Sequence, residues 1–129
     1  MPRVGEAPSF LLRSRADIEH IKRVGRRVQT PLFNLVFCDS RSLSPRVGIV
    51  VGKRLGGAVQ RNRAKRIFRE LARWVRASFR PDRELLVFPR RESIQVHPAT
   101  LRQAWLIALV QEDLLVNRPN SECEPSSSR

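Results

Sequence analysis

Residues 58–79 confine the fold more than any other stretch, being long, helical in period and apolar on one side only. At about 100° per residue, Ala64, Ile67, Phe68, Leu71, Val75 and Ser78 fall on one side. Asn62, Lys65, Arg66, Arg69, Arg73 and Arg76 fall on the other, and Arg61 and Arg63 lie toward the edges of the apolar face. Such a helix cannot stand alone, because its apolar stripe needs a sheet or another helix to cover it. Ordinary solvated faces mix signs, yet here seven basic residues, at 61, 63, 65, 66, 69, 73 and 76, meet only Glu70. Several occupy the first turns, the positive end of the helix macrodipole, where a cation loses about a few tenths of a kcal/mol. Like charges three and four apart add a similar penalty. Stability alone would not choose this arrangement; a polyanionic partner would.

The flanking segments supply the cover. Ser14 followed by Asp17 matches a capping box, and Ile18, Ile21 and Val24 give a short helical stripe that Gly25 would end. Pro31 opens a strand at 32–38, with Phe33, Leu35 and Phe37 sharing one face by period-2 alternation. Turn residues at 39–45 lead to a second strand at 46–51, and the two are expected to pair as an antiparallel hairpin. After the long helix, Pro81-Asp82 breaks the pattern and Leu85-Leu86-Val87-Phe88 reads as a buried strand. A strand, a crossover helix and another strand imply parallel pairing. A last helix from Thr100 to about Leu115 is apolar over a wide arc and should cover a sheet face. Trp74 and Trp105 read as core or its rim. The expected order is α-β-β-α-β-α: an α+β sandwich with a small central sheet, which an extra short strand would extend, packed by helices. Residues 1–116 read as a single domain, opened by a loose lead-in at 1–11, and 117–129 as a disordered polar tail.

Composition decides the partner class. The 129 residues carry 25 Lys plus Arg against 12 Asp plus Glu, a net charge of +13. Such an excess draws in polyanions, nucleic acid first and an anionic membrane second. No apolar run approaches the ~20 residues that span a bilayer, and the first eight residues lack a signal peptide's apolar segment. Cys38 and Cys123 have no metal-ligand spacing and lie in a strand and a polar tail, so no disulfide is expected and a reducing cytoplasmic setting fits.

Catalytic motifs are poorly represented. Gly52-Lys53 in a Gly-rich loop before a helix suggests a phosphate loop. The spacing from Gly48 is one residue short, however, and Arg54 stands where the magnesium-binding Ser or Thr belongs. Gly56 and Gly57 instead suit a tight turn or close approach to an RNA backbone. Only His20 and His97 are present, and the acids form no cluster suited to metal-assisted phosphodiester cleavage. No protein-borne catalytic residue, metal or cofactor is expected.

The run from Val47 to Glu70, with Gly52-Lys53-Arg54 at the strand end, Arg61-Asn62-Arg63 in the helix and Lys65-Arg66 after it, resembles the signature of the bacterial ribonuclease P protein subunit. The resemblance extends over about residues 12–115, including Leu12-Arg13-Ser14-Arg15-Ala16-Asp17 and Leu86-Val87-Phe88-Pro89-Arg90. It implies an auxiliary protein in a ribonucleoprotein endoribonuclease. The catalytic RNA, with magnesium, removes the 5′ leader of precursor tRNA, and the protein broadens the substrate range. It implies a left-handed β-α-β crossover, where physics alone would favour the right-handed form. It further implies a monomeric protein bound to one RNA. By position, Lys53, Arg54, Arg61, Asn62, Arg63, Lys65, Arg66, Arg69 and Arg73 become the RNA-binding residues, with Lys53 and Arg54 between two RNA-facing surfaces. The other surface is a leader cleft between the first helix and the sheet, for which Ile18, Lys22 and Val36 are the candidates, joined by Phe33 and Phe37 if their shared face lines the cleft and not the core.

The chain departs from the family's pattern there. Aromatics usually stand where Ile18 and Lys22 do, one is common near Val36, and the frequent Asn of the pre-helix loop is Gly57. Two other classes fit the charge. A structural RNA binder of ribosomal type needs no leader cleft and would sediment with ribosomes. A DNA-binding regulator would prefer duplex DNA, although no short helix-turn-helix precedes the basic helix.

Overall fold

The short apolar run Leu85-Leu86-Val87-Phe88 becomes the middle of the sheet. In the computed structural model, which describes residues 10–40 and 44–116, five strands form one sheet: β1 (Leu11–Leu12), β2 (Arg26–Gln29), β3 (Phe33–Asp39), β4 (Arg46–Ile49) and β5 (Arg83–Pro89). Their order is β1-β4-β5-β3-β2. β5 runs antiparallel to β3 and parallel to β4. Residues 84–87 of β5 are buried, as suits a strand with covered faces on both sides. Three helices, α1 (Arg15–Val24), α2 (Ala58–Val75) and α3 (Pro98–Gln111), pack on it. The α+β architecture expected from the sequence is therefore present, with β4, α2 and β5 as its parallel crossover. The expected tail at 117–129 and Cys123 lie outside the described residues.

Two expectations on pairing and length need correction. β3 and β4 are not a hairpin, because β5 lies between them and pairs with both. Six residues separate the two strands (40–45), which frees them from the tight-turn geometry that enforces neighbour pairing. The long helix stops at Val75, not near residue 79, and a 3-10 turn at Arg76–Ser78 follows. Phe79 leaves the helical path to bridge with Leu115 and to pack edge-on against Phe10, with ring centroids 6.0 Å apart. The sheet is also longer than expected: β1 falls partly in the presumed lead-in, and β2 follows Gly25 directly.

Strand alternation divides the core into two layers. Phe33, Leu35, Phe37, Val47, Leu85 and Val87 face α2 and α3 and join Phe68, Leu71, Val75, Leu101, Trp105 and Leu109 in the main core. Phe33, Phe68 and Trp105 meet edge to face at 5.7–5.9 Å, the offset geometry favoured by ring quadrupoles. The opposite face carries Leu12, Val36 and Leu86, covered by Ile21 and partly by Ile18 of α1. Val24, expected in the same stripe, points to solvent.

α1 is held on its face by three local devices. Ser14 Oγ accepts from the Asp17 N–H at 3.4 Å, as the capping pattern predicts. Arg46 of β4 donates from Nη1 to Asp17 Oδ2 at 3.1 Å and from Nε to Glu84 Oε2 of β5 at 2.9 Å, with Nη2 on the same Glu84 oxygen. Desolvation opposes the charge on Arg46, yet hydrogen bonds and the field from Glu84 and Asp17 hold its pKa above the ordinary arginine value. Finally, the Gly25 N–H caps α1 by donating to Ile21 O at 2.8 Å.

Gly25 is required by closeness and not by its extended φ. A Cβ there would stand 2.5 Å from Val36 Cγ1 and 2.6 Å from the Ile21 carbonyl oxygen. Backbone cannot yield as a flexible side chain can. Gly25→Ala is expected to push the end of α1 off β3 and cost about 1–3 kcal/mol, measured as a lower urea midpoint at unchanged slope.

Candidate nucleic-acid interface

α2 presents its charge as the helical phasing predicts. Ala64, Phe68, Leu71, Ala72 and Val75 are buried, while Asn62, Arg63, Arg66 and Arg73 are exposed, and Arg61, Lys65 and Arg69 are half-exposed. Glu70 lies 3.6 Å from Arg73, both well exposed, and such a surface pair contributes little. Among the described residues, Arg61, Arg63, Lys65, Arg66 and Arg69 form no ion pair. The helix opens at Gly57 without a side-chain cap and with no acid in its first turn, leaving N–H groups and the positive dipole end unopposed. Gly56, at φ 144°, makes the turn into it in a conformation that side chains disfavour. The result is a row of unpaired cations on a rigid element, a form suited to tracking phosphates.

Lys65 and Arg69 reach the β1 edge of the sheet, where with Arg13 they border a small cavity floored by Leu11, Val47 and Ile49. Lys53 and Arg54 lie in an exposed 3-10 turn, Lys53–Leu55, between β4 and α2. That turn also borders the other face of the sheet, where α1 leaves the ends of β2, β3 and β5 uncovered. Two adjoining hollows lie there and share Gln29, Asn34 and Phe88. The larger, about 630 Å³, is bordered by Arg54, Arg90, Arg91 and Glu92. The smaller, about 190 Å³, is bordered by Lys22, Arg27 and Val36. Arg27 Nη2 donates to the Lys22 carbonyl at 3.0 Å, and Arg91 Nη2 to the Arg54 carbonyl at 3.3 Å, tying each wall to its neighbour. Glu92 is the one acid lining either hollow, 3.9 Å from Arg90 Nε.

The predicted cleft residues separate accordingly. Lys22 and Val36 line this groove, and Ile18 packs partly buried on the same face. Phe33 and Phe37 do not line it. Their odd-numbered phase on β3 turns them into the main core, where Phe33 is fully buried. The groove's aromatic is Phe88, which by sequence reads only as part of a buried strand, and Asn34, Gln29 and Arg27, outside the predicted cleft residues, line it as well. Register is the signal that finds them: Phe88 pairs with Asn34, and Asn34 with Gln29. No one can read that register before β5 is known to lie beside β3.

Metal chemistry has little to draw on here, since among the described residues no three His, Cys, Asp or Glu side chains converge. Among those residues, too, no helix is long and apolar enough to cross a membrane.

Comparison with known proteins gives a consistent picture. The family model described as Ribonuclease P matches residues 8–112. The ribonuclease P protein component of Chloroflexus aggregans is 32% identical over 111 residues, covering 86% of this chain and 82% of that protein. That of Syntrophobacter fumaroxidans is 39% identical over 107 residues, covering 82% and 90%. Among solved structures, the RNase P protein from Thermotoga maritima superimposes with a TM-score of 0.70 at 31% identity, covering 78% of this chain and 94% of that one.

Proposed function

Since the chain belongs to the ribonuclease P protein family, we propose that it is the protein subunit of the endoribonuclease that removes the 5′ leader of precursor tRNA. It binds the catalytic RNA through the unpaired cations of α2 and the precursor's leader through the groove beside α1. The observation that carries this assignment is the pairing of two basic surfaces on opposite faces of one sheet, with the Lys53–Leu55 turn bordering the groove and leading into α2. A protein that only neutralised one RNA would need one such surface.

In this role the protein is not the catalyst. In this reading the chemistry belongs to the RNA with magnesium, which would supply an activated water and charge stabilisation for the leaving oxygen there. The protein's cations replace part of the counterion atmosphere around the RNA, letting phosphates approach one another at lower magnesium. Lys53, Arg54, Arg61, Asn62, Arg63, Lys65, Arg66, Arg69 and Arg73 serve as RNA contacts. Arg can engage phosphate bidentately, and Asn62 can donate to and accept from a base or ribose edge. The protein acts as a monomer with one RNA, in the cytoplasm.

The test is reconstitution with a cognate ribonuclease P RNA and a cleavage assay on precursor tRNA at low magnesium. The chain is expected to stimulate cleavage and to favour precursor over mature tRNA; no stimulation over RNA alone would overturn the assignment. Within the same system, Arg66→Ala with Arg69→Ala should weaken assembly with the RNA. It should also reduce the slope of log affinity against log salt by about 1–2, as two lost phosphate contacts require. Unchanged affinity and slope would remove these residues from the interface.

A further inference from the structure

The groove beside α1 contains one feature that charge does not explain. Across its floor, Gln29 of β2, Asn34 of β3 and Phe88 of β5 stand directly opposite one another on adjacent strands. Cβ atoms of such cross-strand pairs lie about 5 Å apart. Phe88 is only partly buried, packed against the α1-side cluster along one flank and lining both hollows with the rest. Asn34 also lines both hollows, and its Oδ1 is shielded from solvent with no hydrogen-bond partner. Buried polar atoms are nearly always paired, so an exception asks for a reason. The last torsion of an asparagine is soft, and its carboxamide can offer both a donor and an acceptor to one ligand edge.

Resting on the function proposed above, we infer that Phe88 is the stacking platform for one unpaired leader nucleobase and that Asn34, with Gln29 beside it, contacts that base's edge. An aromatic face next to a carboxamide suits an unstacked base, which has a π-face for the ring and hydrogen-bonding groups on its edge. The cations are spaced for the strand that carries it. Lys22 and Arg27 border one side of Phe88, and Arg54, Arg90 and Arg91 the other, so phosphates on both sides of the stacked nucleotide have counter-charges. Glu92 discourages a phosphate at its own position and helps set the strand's path. The stacking group is thus supplied by the sheet floor, since α1 presents Ile18 and Lys22 on this face and no ring.

The experiment uses holoenzyme reconstituted with ribonuclease P RNA and precursor tRNAs carrying 2-aminopurine at successive leader positions. Wild type should quench the fluorophore strongly at one position. Phe88→Leu keeps an apolar side chain against the cluster and removes the ring. It should abolish the quenching and weaken precursor binding roughly tenfold or more, leaving mature tRNA and RNA-subunit affinity unchanged. Phe88→Trp should restore both signals. Asn34→Ala should keep the quenching but compress the affinity differences among the four bases at that position. Quenching and affinity unchanged in Phe88→Leu would overturn the inference while leaving the proposed function intact. Equal weakening toward precursor and mature tRNA would reduce Phe88 to a structural role and overturn it also. A wild-type holoenzyme that does not distinguish precursor from mature tRNA would instead overturn the function on which the inference rests.

Discussion

Arg46→Ala is expected to destabilise the fold by about 3–5 kcal/mol, the usual cost of stranding one member of a buried ion pair. The reason lies in Glu84. Its side chain is 1% exposed, its Oε2 is held by the Arg46 guanidinium, and its Oε1 has no hydrogen-bond partner. With Arg46 gone, a carboxylate would remain in the layer between α1 and the sheet with neither water nor a counter-charge. α1 would also lose the bond from Arg46 to Asp17, so the groove wall would loosen with the core. Chemical denaturation measures the loss directly. The informative control is the double replacement Arg46→Met with Glu84→Leu, which removes both charges and should recover most of the stability. If the double variant is as unstable as Arg46→Ala, the cost lies in lost packing and not in an uncompensated charge.

Trp105→Ala should cost a similar amount, about 3–5 kcal/mol, as large aromatic truncations in closed cores do. Trp105 of α3 is fully buried, touches Phe33 of β3 and Phe68 of α2 edge to face, and donates from Nε1 to the Leu71 carbonyl of α2 at 3.2 Å. It therefore joins two helices and the sheet through one side chain. Trp105→Phe keeps a ring against both partners and forfeits the hydrogen bond, so its unfolding midpoint should fall between those of wild type and Trp105→Ala. Because Trp105 packs on the opposite face of the sheet from the groove floor, the fraction of Trp105→Phe that remains folded should bind precursor tRNA normally. A loss of RNA binding without a loss of stability would show that this core transmits to the interface.

The sequence disclosed whatever was periodic and local. The apolar face of α2, the Ser14 cap, the stop at Gly25 and the buried character of Leu85–Val87 all follow from residue spacing, and the structure agrees. What it concealed was non-local. β2 has one apolar residue in four and is exposed elsewhere, so nothing in its own composition announces a strand; pairing with β3 creates it. β1 has two residues, too few for any pattern. The insertion of β5 between β3 and β4 is decided by the pairing of residues 38 to 56 apart in sequence, and no turn signal reports it. The site inherits the same division. The α2 cations were legible because they share one helix face. Phe88, Asn34 and Gln29 come from three strands, and only the register aligns them. Phe33 and Phe37 drew attention as aromatics in the right strand but carry the wrong parity.

The two outermost strands have a bearing on how the protein survives before it meets its RNA. An open sheet normally offers its borders to any passing strand, including that of another copy. Here one border is two residues long and the other begins Arg26-Arg27, both exposed. A second copy approaching that border would bring its own pair of arginines against these, and a net charge of +13 already repels it at longer range. The same excess of cations that suits a polyanionic partner therefore also opposes edge-to-edge association of newly made chains.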